Sequence, residues 1–154
     1  MSVIEKGDYA QVLLKNGVLS FAPNGNSMWP FIKNRKQTVV IEKPLDTVKK
    51  FDVLLYVRPD GSYVLHRVVE ILKDGYLMRG DSQNVAEKID KDCVIGVMTS
   101  FFKGKKQILV NDENYVKKVE KWYKDYPLTR LRKKLFSLKN RIKYKLSKTT
   151  KKGN

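Results

Sequence analysis

The sequence predicts a small, strongly bent, mainly β domain followed by a basic helical extension. Two observations carry this prediction. Short runs rich in β-branched and aromatic residues recur between turn residues through the first part of the chain, a pattern typical of compact all-β folds. Beyond them, apolar residues recur at steps of three and four among many basic residues, which indicates helix. We therefore expect a domain over residues 1–111 and an extension over residues 112–154.

The first part is predicted to open with one short helix and to continue as strands. The helix covers residues 3–15 and ends at Asn16-Gly17, a good helix stop signal. Turn residues such as Pro59-Asp60-Gly61 separate the strands that follow. Seven strands are predicted: Val18–Ala22, Thr38–Ile41, Val53–Val57, Tyr63–Ile71, Tyr76–Arg79, Cys93–Phe102 and Gln107–Val110.

The extension is predicted to be helical in two stretches. Val116, Val119 and Tyr126 recur at helical spacing, and Pro127 then interrupts the pattern or opens the next helix. Further apolar residues follow at steps of three and four, which predicts an apolar stripe on a second helix. These residues are Leu128, Leu131, Leu135, Leu138, Ile142 and Leu146.

The positive charge is concentrated in this extension. Residues 115–154 contain 15 Lys or Arg and two acids, a net charge of +13, which leaves only +3 of the total of +16 for residues 1–114. A basic helix with an apolar stripe is typical of a membrane interface, where cations meet anionic headgroups. The candidate membrane- or anion-binding residues are Arg130, Arg132, Lys133, Lys134, Lys139 and Arg141.

Three other interpretations of the extension stay open. The apolar stripe could pack on the protein itself or on a partner helix, or the basic face could capture an acidic peptide. Nucleic-acid binding is the least favoured, because the extension has no aromatic stacking sheet and no recognition-helix signature.

Composition excludes several functional classes. The chain has one histidine, His66, and one cysteine, Cys93, which cannot form a typical zinc site or an internal disulfide. It has no glycine-rich phosphate loop, so we expect neither a metal nor an organic cofactor. No signal peptide and no long apolar run are seen. We expect a cytoplasmic protein that is soluble or peripheral on the inner face of the membrane.

Three elements of the first part could together support nucleophilic catalysis. Ser27 follows a turn that contains Gly25, and a serine hydroxyl becomes a nucleophile when a base takes its proton. His66 is the side chain best suited to move that proton near neutral pH. Asp81 and Glu87 supply carboxylates downstream. Taken singly, each element has an ordinary structural interpretation, as a turn residue or as a hydrogen-bonded histidine.

The order and spacing of these elements resemble the superfamily of type I signal peptidases and self-cleaving SOS-type repressors. The matching segments lie in order over residues 18–100: Gly25-Asn26-Ser27-Met28-Trp29-Pro30, Phe51-Asp52-Val53-Leu54-Leu55-Tyr56, His66-Arg67-Val68, Gly80-Asp81-Ser82-Gln83-Asn84 and Ile95-Gly96-Val97. The resemblance implies the small, bent, β-barrel-like fold of that superfamily. It implies no cofactor.

The His-Arg pair resembles the histidine-base branch of the superfamily. The resemblance then implies that Ser27 is the nucleophile and His66 the general base. It also implies that Asp81 or Glu87 orients His66, with a slight preference for Asp81. The backbone N–H groups of Ser27 and Met28 are the candidate oxyanion donors.

The sequence also departs from the superfamily pattern. Phe51 stands where glycine is usual before Asp52, Asn34-Arg35-Lys36-Gln37 replaces a Gly-Asp pair, and we expect none of the membrane anchors of true signal peptidases. The chain thus resembles a soluble subgroup. The resemblance implies a serine endopeptidase that removes a leader or signal segment from a small peptide or preprotein.

Two alternatives keep the same fold. One is a catalytically inactive module that binds a peptide or a partner at a membrane surface. The other is a self-cleaving, repressor-like regulator. This second alternative is disfavoured because residues 1–17 are too short for a helix-turn-helix domain and no lysine stands at position 66.

Overall fold

The computed structural model describes residues 9–44 and 47–126, and the chain divides into two compact units after Tyr115. The sequence predicts this boundary slightly earlier, between residues 111 and 112. Residues 113–126 are helical (α2), and a short 3₁₀ turn covers Lys91–Cys93. The other elements, in chain order, are α1 Tyr9–Asn16, β1 Val18–Phe21, β2 Gln37–Glu42, β3 Val53–Val57, β4 Tyr63–Ile71, β5 Gly75–Arg79, β6 Glu87–Asp90, β7 Val94–Lys103 and β8 Lys106–Leu109.

The eight strands form one antiparallel sheet in the order β1-β2-β7-β3-β4-β5-β6, with β8 paired to β7. The long strand β7 holds the sheet together, because it pairs with β2, β3 and β8. The prediction of a mainly β domain is confirmed. The barrel-like part of that prediction is wrong, since the sheet is not closed into a barrel. Among the described strands, no pairing joins the two ends of this order, β1 and β6.

The pairing of β2, β3 and β4 contains three register shifts, two of them close to His66. The register shifts between Val40 and Ile41 in β2, between Leu55 and Tyr56 in β3, and between Val68 and Glu70 in β4. Such bulges bend a strand and increase its local twist. The shift in β3 begins one residue after Leu54, which is the Cα partner of His66. The shift in β4 begins two residues after His66 itself.

The seven predicted strands agree with the observed ones to within one residue at either end. β6 was not predicted, because Glu87–Asp90 contains a single apolar residue, Ile89, between charged ones. The predicted apolar stripe from Leu128 to Leu146 and the anion-binding candidates among residues 130–141 lie outside the described residues.

A glycine in β7, Gly96, allows α1 to pack closely against the sheet. Leu13 of α1 is buried, and a Cβ atom placed on Gly96 in β7 would lie 2.8 Å from Leu13 Cδ2 and 2.5 Å from Ile41 Cγ2. No real Cβ tolerates such distances, so the glycine at this position permits the close packing of α1 on β2 and β7.

The most deeply buried charges form an ion pair between Arg67 of β4 and Asp81, which follows β5. Arg67 is 1% exposed and Asp81 is 0% exposed. Arg67 Nε donates to Asp81 Oδ1 at 2.7 Å, and Arg67 Nη2 donates to Asp81 Oδ2 at 2.8 Å. This two-bond geometry is the strongest that arginine forms with a carboxylate.

The same guanidinium contacts three further segments. Arg67 Nη1 donates to the carbonyl of Phe51 at 2.9 Å, and Nη2 donates to the Tyr115 hydroxyl at 3.1 Å. The Phe31 ring lies 5.3 Å from the guanidinium carbon, a cation–π contact. Arg67 therefore connects β4 to four residues outside the strands. They are Phe51 before β3, Asp81 after β5, Phe31 in the segment between β1 and β2, and Tyr115 in the first turn of α2.

The contact to Phe51 coincides with local strain. Phe51 stands where the superfamily resemblance leads us to expect glycine, and its φ is +76°. A residue with a side chain pays about 1–2 kcal/mol for this conformation. The Phe51 N–H donates to Val68 O at 2.8 Å, while its carbonyl accepts from Arg67. These two bonds hold the residue in the left-handed region.

Replacing Arg67 tests the ion pair. We expect Arg67→Met to lower the free energy of unfolding by about 3–5 kcal/mol, because the buried Asp81 carboxylate loses both hydrogen bonds from the Arg67 guanidinium. Urea unfolding of the wild type and the variant measures this loss.

Two further variants control this experiment. Arg67→Met combined with Asp81→Leu removes both charges and should recover part of the loss. Lys88→Met alters an exposed cation on β6 and should change stability by no more than about 0.5 kcal/mol. A loss below about 1 kcal/mol in Arg67→Met would contradict the importance given to this pair.

Candidate active site

Ser27 is half-buried in a tight turn between β1 and β2. The Trp29 N–H donates to Asn26 O at 3.1 Å, and the Phe31 and Ile32 N–H groups donate to Met28 O at 3.1 and 2.9 Å. Met28 and Ile32 are buried and anchor the turn. Within the described residues, the N–H groups of Ser27 and Met28 donate to no protein acceptor, so both are available to a ligand.

The segment after β5 clamps this turn. The Ser82 N–H donates to Ser27 O at 2.8 Å, and Ser82 Oγ lies 2.8 Å from Asn26 O and 3.1 Å from Ser27 O. A Cβ atom placed on Gly80 would lie 2.8 Å from Ser27 O and 2.9 Å from Ser27 Cβ. Ser27 therefore occupies the space that a side chain at position 80 would need.

The pairing of β4 and β5 relates this contact to His66. Arg67 is the Cα partner of Arg79, so the next residue pair in that register is His66 and Gly80. Residues directly opposite each other in antiparallel strands point to the same face of the sheet. The absent side chain of Gly80 thus leaves room for Ser27 on the His66 side, while Arg67 and Asp81 meet on the other face.

His66 is 4% exposed and takes part in a chain of polar contacts. The Tyr56 hydroxyl lies 3.1 Å from His66 Nδ1 and donates a short hydrogen bond to Glu87 Oε1. Arg58 binds the same carboxylate, with Nε donating to Oε2 at 2.9 Å and Nη2 donating to Oε1 at 2.6 Å. Glu87 Oε1 is 3.5 Å from His66 Nδ1.

The charges in this group follow from burial and pairing. Burial lowers the pKa of His66, an effect that Glu87 opposes and Arg58 reinforces. The hydrogen bonds from Arg58 and Tyr56 hold the pKa of Glu87 below its usual value. Burial, followed by the bond to Glu87, raises the pKa of Tyr56. Near neutral pH the group contains a neutral imidazole, a carboxylate and a protonated phenol.

Ser27 and His66 line the same cleft, which has a volume of about 400 Å³. Met28, Arg58 and Gln83 also line it, and one wall is aromatic. Tyr9 in this wall stacks on Phe21 with ring centroids 4.9 Å apart and meets Tyr63 edge-on at 5.1 Å. No hydrogen bond joins Ser27 Oγ to the His66 ring among these described residues.

The structure distinguishes the two acids that the sequence offers as partners of His66. Both oxygens of Asp81 bind Arg67, whereas Glu87 lies beside His66 Nδ1. The slight preference for Asp81 is therefore corrected to Glu87. The physical reason is that consecutive residues of a strand face opposite sides, so Arg67, and with it Asp81, turns away from His66.

Sequence reasoning missed Tyr56 and Arg58 as members of the site. The feature that places Tyr56 near His66 is the pairing of β3 with β4. Leu54 is directly opposite His66, so Tyr56, two residues along, is its diagonal neighbour on the same face. Only the register reveals this relation, because Tyr56 and His66 are ordinary residues of two separate strands in the sequence.

The described residues hold no group of three potential metal-binding side chains of the His, Cys, Asp or Glu type. The helices in the described ranges are too short or too polar to cross a membrane. No family model matches the sequence, and no curated protein matches it.

Replacing Gly80 tests how closely Ser27 is held. Gly80→Ala should lower the free energy of unfolding by about 1–3 kcal/mol, because the added methyl group overlaps Ser27 O and Cβ. It should also shift the backbone amide signals of Ser27, Met28 and Ser82. Urea unfolding and a ¹H–¹⁵N NMR spectrum measure the two effects.

Gly104→Ala is the matched control. It strains a turn glycine with φ of +62° but meets no atom within 4 Å. It should cost about 1 kcal/mol and leave the three amide signals in place. Unshifted signals in Gly80→Ala would show that Gly80 does not position Ser27.

Proposed function

We propose that the chain is a serine endopeptidase of the superfamily of signal peptidases and SOS-type repressors, in its histidine-base branch. The observation that carries the proposal is that Ser27 and the buried His66 line one cleft. A nucleophile needs a base that is unprotonated at working pH, and the lowered pKa of His66 meets that need.

The proposed reaction proceeds through an acyl-enzyme. Ser27 Oγ attacks the carbonyl carbon of the scissile peptide bond while His66 takes the hydroxyl proton. The N–H groups of Ser27 and Met28 stabilise the oxyanion. His66 returns the proton to the leaving amine, and the C–N bond breaks. A water molecule, activated by His66, then hydrolyses the ester and restores Ser27.

The cleft suits an extended peptide segment. β1 lies at one end of the sheet order, and Phe21 and Ala22 at its end line the cleft. A peptide that pairs with an exposed strand edge gains main-chain hydrogen bonds, and its alternate side chains enter the adjacent pockets. We propose a leader or signal segment of a small peptide or preprotein as the substrate. The preference for small side chains before the cleaved bond comes from the resemblance.

We also propose that the enzyme works on the cytoplasmic side, at an anionic membrane surface. The support is the net charge of +13 over residues 115–154, which would draw the chain to anionic headgroups. A substrate segment that emerges at the same surface would then be close to the cleft.

A second candidate is a catalytically inactive module that holds a peptide in the same cleft. The observation in its favour is the missing hydrogen bond between Ser27 Oγ and His66. Peptide binding by this module would survive Ser27→Ala, and the bound peptide would be recovered intact from the wild-type protein.

Reaction with a serine-directed probe tests the enzyme proposal. We expect a fluorophosphonate to add one phosphonyl group per chain, as the Ser27 oxygen displaces fluoride, and the adduct to be seen in the intact mass. Ser27→Ala should abolish the adduct. His66→Ala should slow its formation by about 10²–10⁴-fold, the usual contribution of a general base.

Ser62→Ala is the matched control, because Ser62 lines the same cleft and its hydroxyl donates only to Asp60 within its own turn. This variant should react like the wild type. No adduct on the folded wild-type protein, or an adduct that persists in Ser27→Ala, would refute the proposed nucleophile.

A further inference from the structure

Tyr56 occupies an unusual position between a carboxylate and the ring of His66. Its side chain is fully buried, at 0% exposure. Its single hydroxyl lies within hydrogen-bonding distance of both Glu87 Oε1 and His66 Nδ1. Glu87 Oε1 itself is 3.5 Å from Nδ1, so the tyrosine oxygen is the nearer partner of the histidine.

The number of hydrogens decides the direction of these bonds. Glu87 receives two hydrogen bonds from Arg58, which is the pattern of an ionised carboxylate that can only accept. The Tyr56 hydroxyl has one hydrogen and donates it to Glu87. Tyr56 can then meet His66 Nδ1 only as an acceptor, so Nδ1 of the neutral ring must carry the hydrogen.

We propose that Tyr56 is a positioning residue that links Glu87 to His66 and fixes the neutral imidazole as the tautomer with hydrogen on Nδ1. This inference rests on the proposed function. In this tautomer the lone pair is on Nε2, the ring nitrogen that is not engaged by Tyr56. Nε2 is therefore the atom that takes the proton of Ser27 Oγ.

The arrangement also accounts for the charge that appears during the reaction. When His66 takes the proton, its positive charge forms next to the Tyr56 oxygen and 3.5 Å from Glu87 Oε1. The guanidinium of Arg58 offsets part of the carboxylate charge before the reaction. Burial, reinforced by Arg58, lowers the pKa of His66 and favours the neutral resting imidazole, and the imidazolium gains a polarised hydroxyl backed by an anion.

The single histidine of the chain permits a direct test of the tautomer. The ¹⁵N shifts of His66 in selectively labelled protein distinguish hydrogen on Nδ1 from hydrogen on Nε2. We expect the wild type to show hydrogen on Nδ1. Tyr56→Phe removes the acceptor, so the form with hydrogen on Nε2 should increase and the reaction of Ser27 with a fluorophosphonate should slow by at least tenfold.

Two variants separate positioning from general damage to the fold. Tyr76→Phe removes the hydroxyl of a half-buried tyrosine of β5 that does not line the cleft and should leave tautomer and rate unchanged. Glu87→Gln keeps an acceptor for Tyr56 but removes the negative charge. It should retain the tautomer and lower the His66 pKa, because Glu87 raises that pKa in the wild type.

The outcomes separate this inference from the function on which it rests. If Tyr56→Phe keeps the hydrogen on Nδ1 and reacts at the wild-type rate, the positioning role of Tyr56 is refuted while the serine-histidine mechanism stands. If the folded wild type does not react at Ser27 at all, the proposed function fails and Tyr56 has no catalytic base to position. The inference is supported if Tyr56→Phe changes the tautomer and slows the reaction while the control tyrosine variant does neither.

Discussion

The buried ion pair between Arg67 and Asp81 is the interaction on which the rest of the candidate site depends. Asp81 lies between Gly80 and Ser82, the two residues that contact Ser27. Arg67 follows His66 in β4. One pair of charges therefore fixes the strand that carries the histidine to the loop that holds the serine. A buried ion pair adds little net stability compared with apolar residues of the same size. Separating the two partners is nevertheless unfavourable, because Arg67 would keep a buried charge without the Asp81 carboxylate. The pair therefore restrains the loop that contains Asp81.

Strand alternation divides the work between the two faces of β4. Arg67 faces Asp81 and the aromatic rings of Phe31 and Tyr115, which is a packing role. His66 faces Tyr56, with Glu87 beyond its hydroxyl, which is a setting suited to proton transfer. In the His66-Arg67 dipeptide, the first side chain therefore faces the cleft, and the second packs against the residues that support the loop. The strained Phe51 belongs to the Arg67 side, because its carbonyl binds Arg67.

The sequence predicts the strands well and the contacts between them poorly. β3 and β4 have strong apolar patterns, so their bounds are as predicted, whereas Glu87–Asp90 has too little apolar content to be recognised as β6. The open sheet and the choice between Asp81 and Glu87 depend on register and on side-chain direction. Tyr56 was missed for the same reason, since its relation to His66 exists only across the β3–β4 pair. Ser27 and His66 could be selected from the sequence because their residue types suit nucleophilic catalysis, and the structure places both along one cleft.

The most direct measurement is the rate at which a fluorophosphonate phosphonylates Ser27, with loss of fluoride, between about pH 4.5 and about pH 8.5, compared with the NMR titration of His66. Burial lowers the pKa of His66 from its usual 6.5, so the neutral base persists to lower pH than in an unfolded chain. The account predicts that the rate rises with pH to a plateau, with a midpoint below 6.5 that coincides with the titration of His66. A rate that keeps rising above pH 8, or a pH profile that is the same in His66→Ala, would contradict a neutral His66 acting on Ser27.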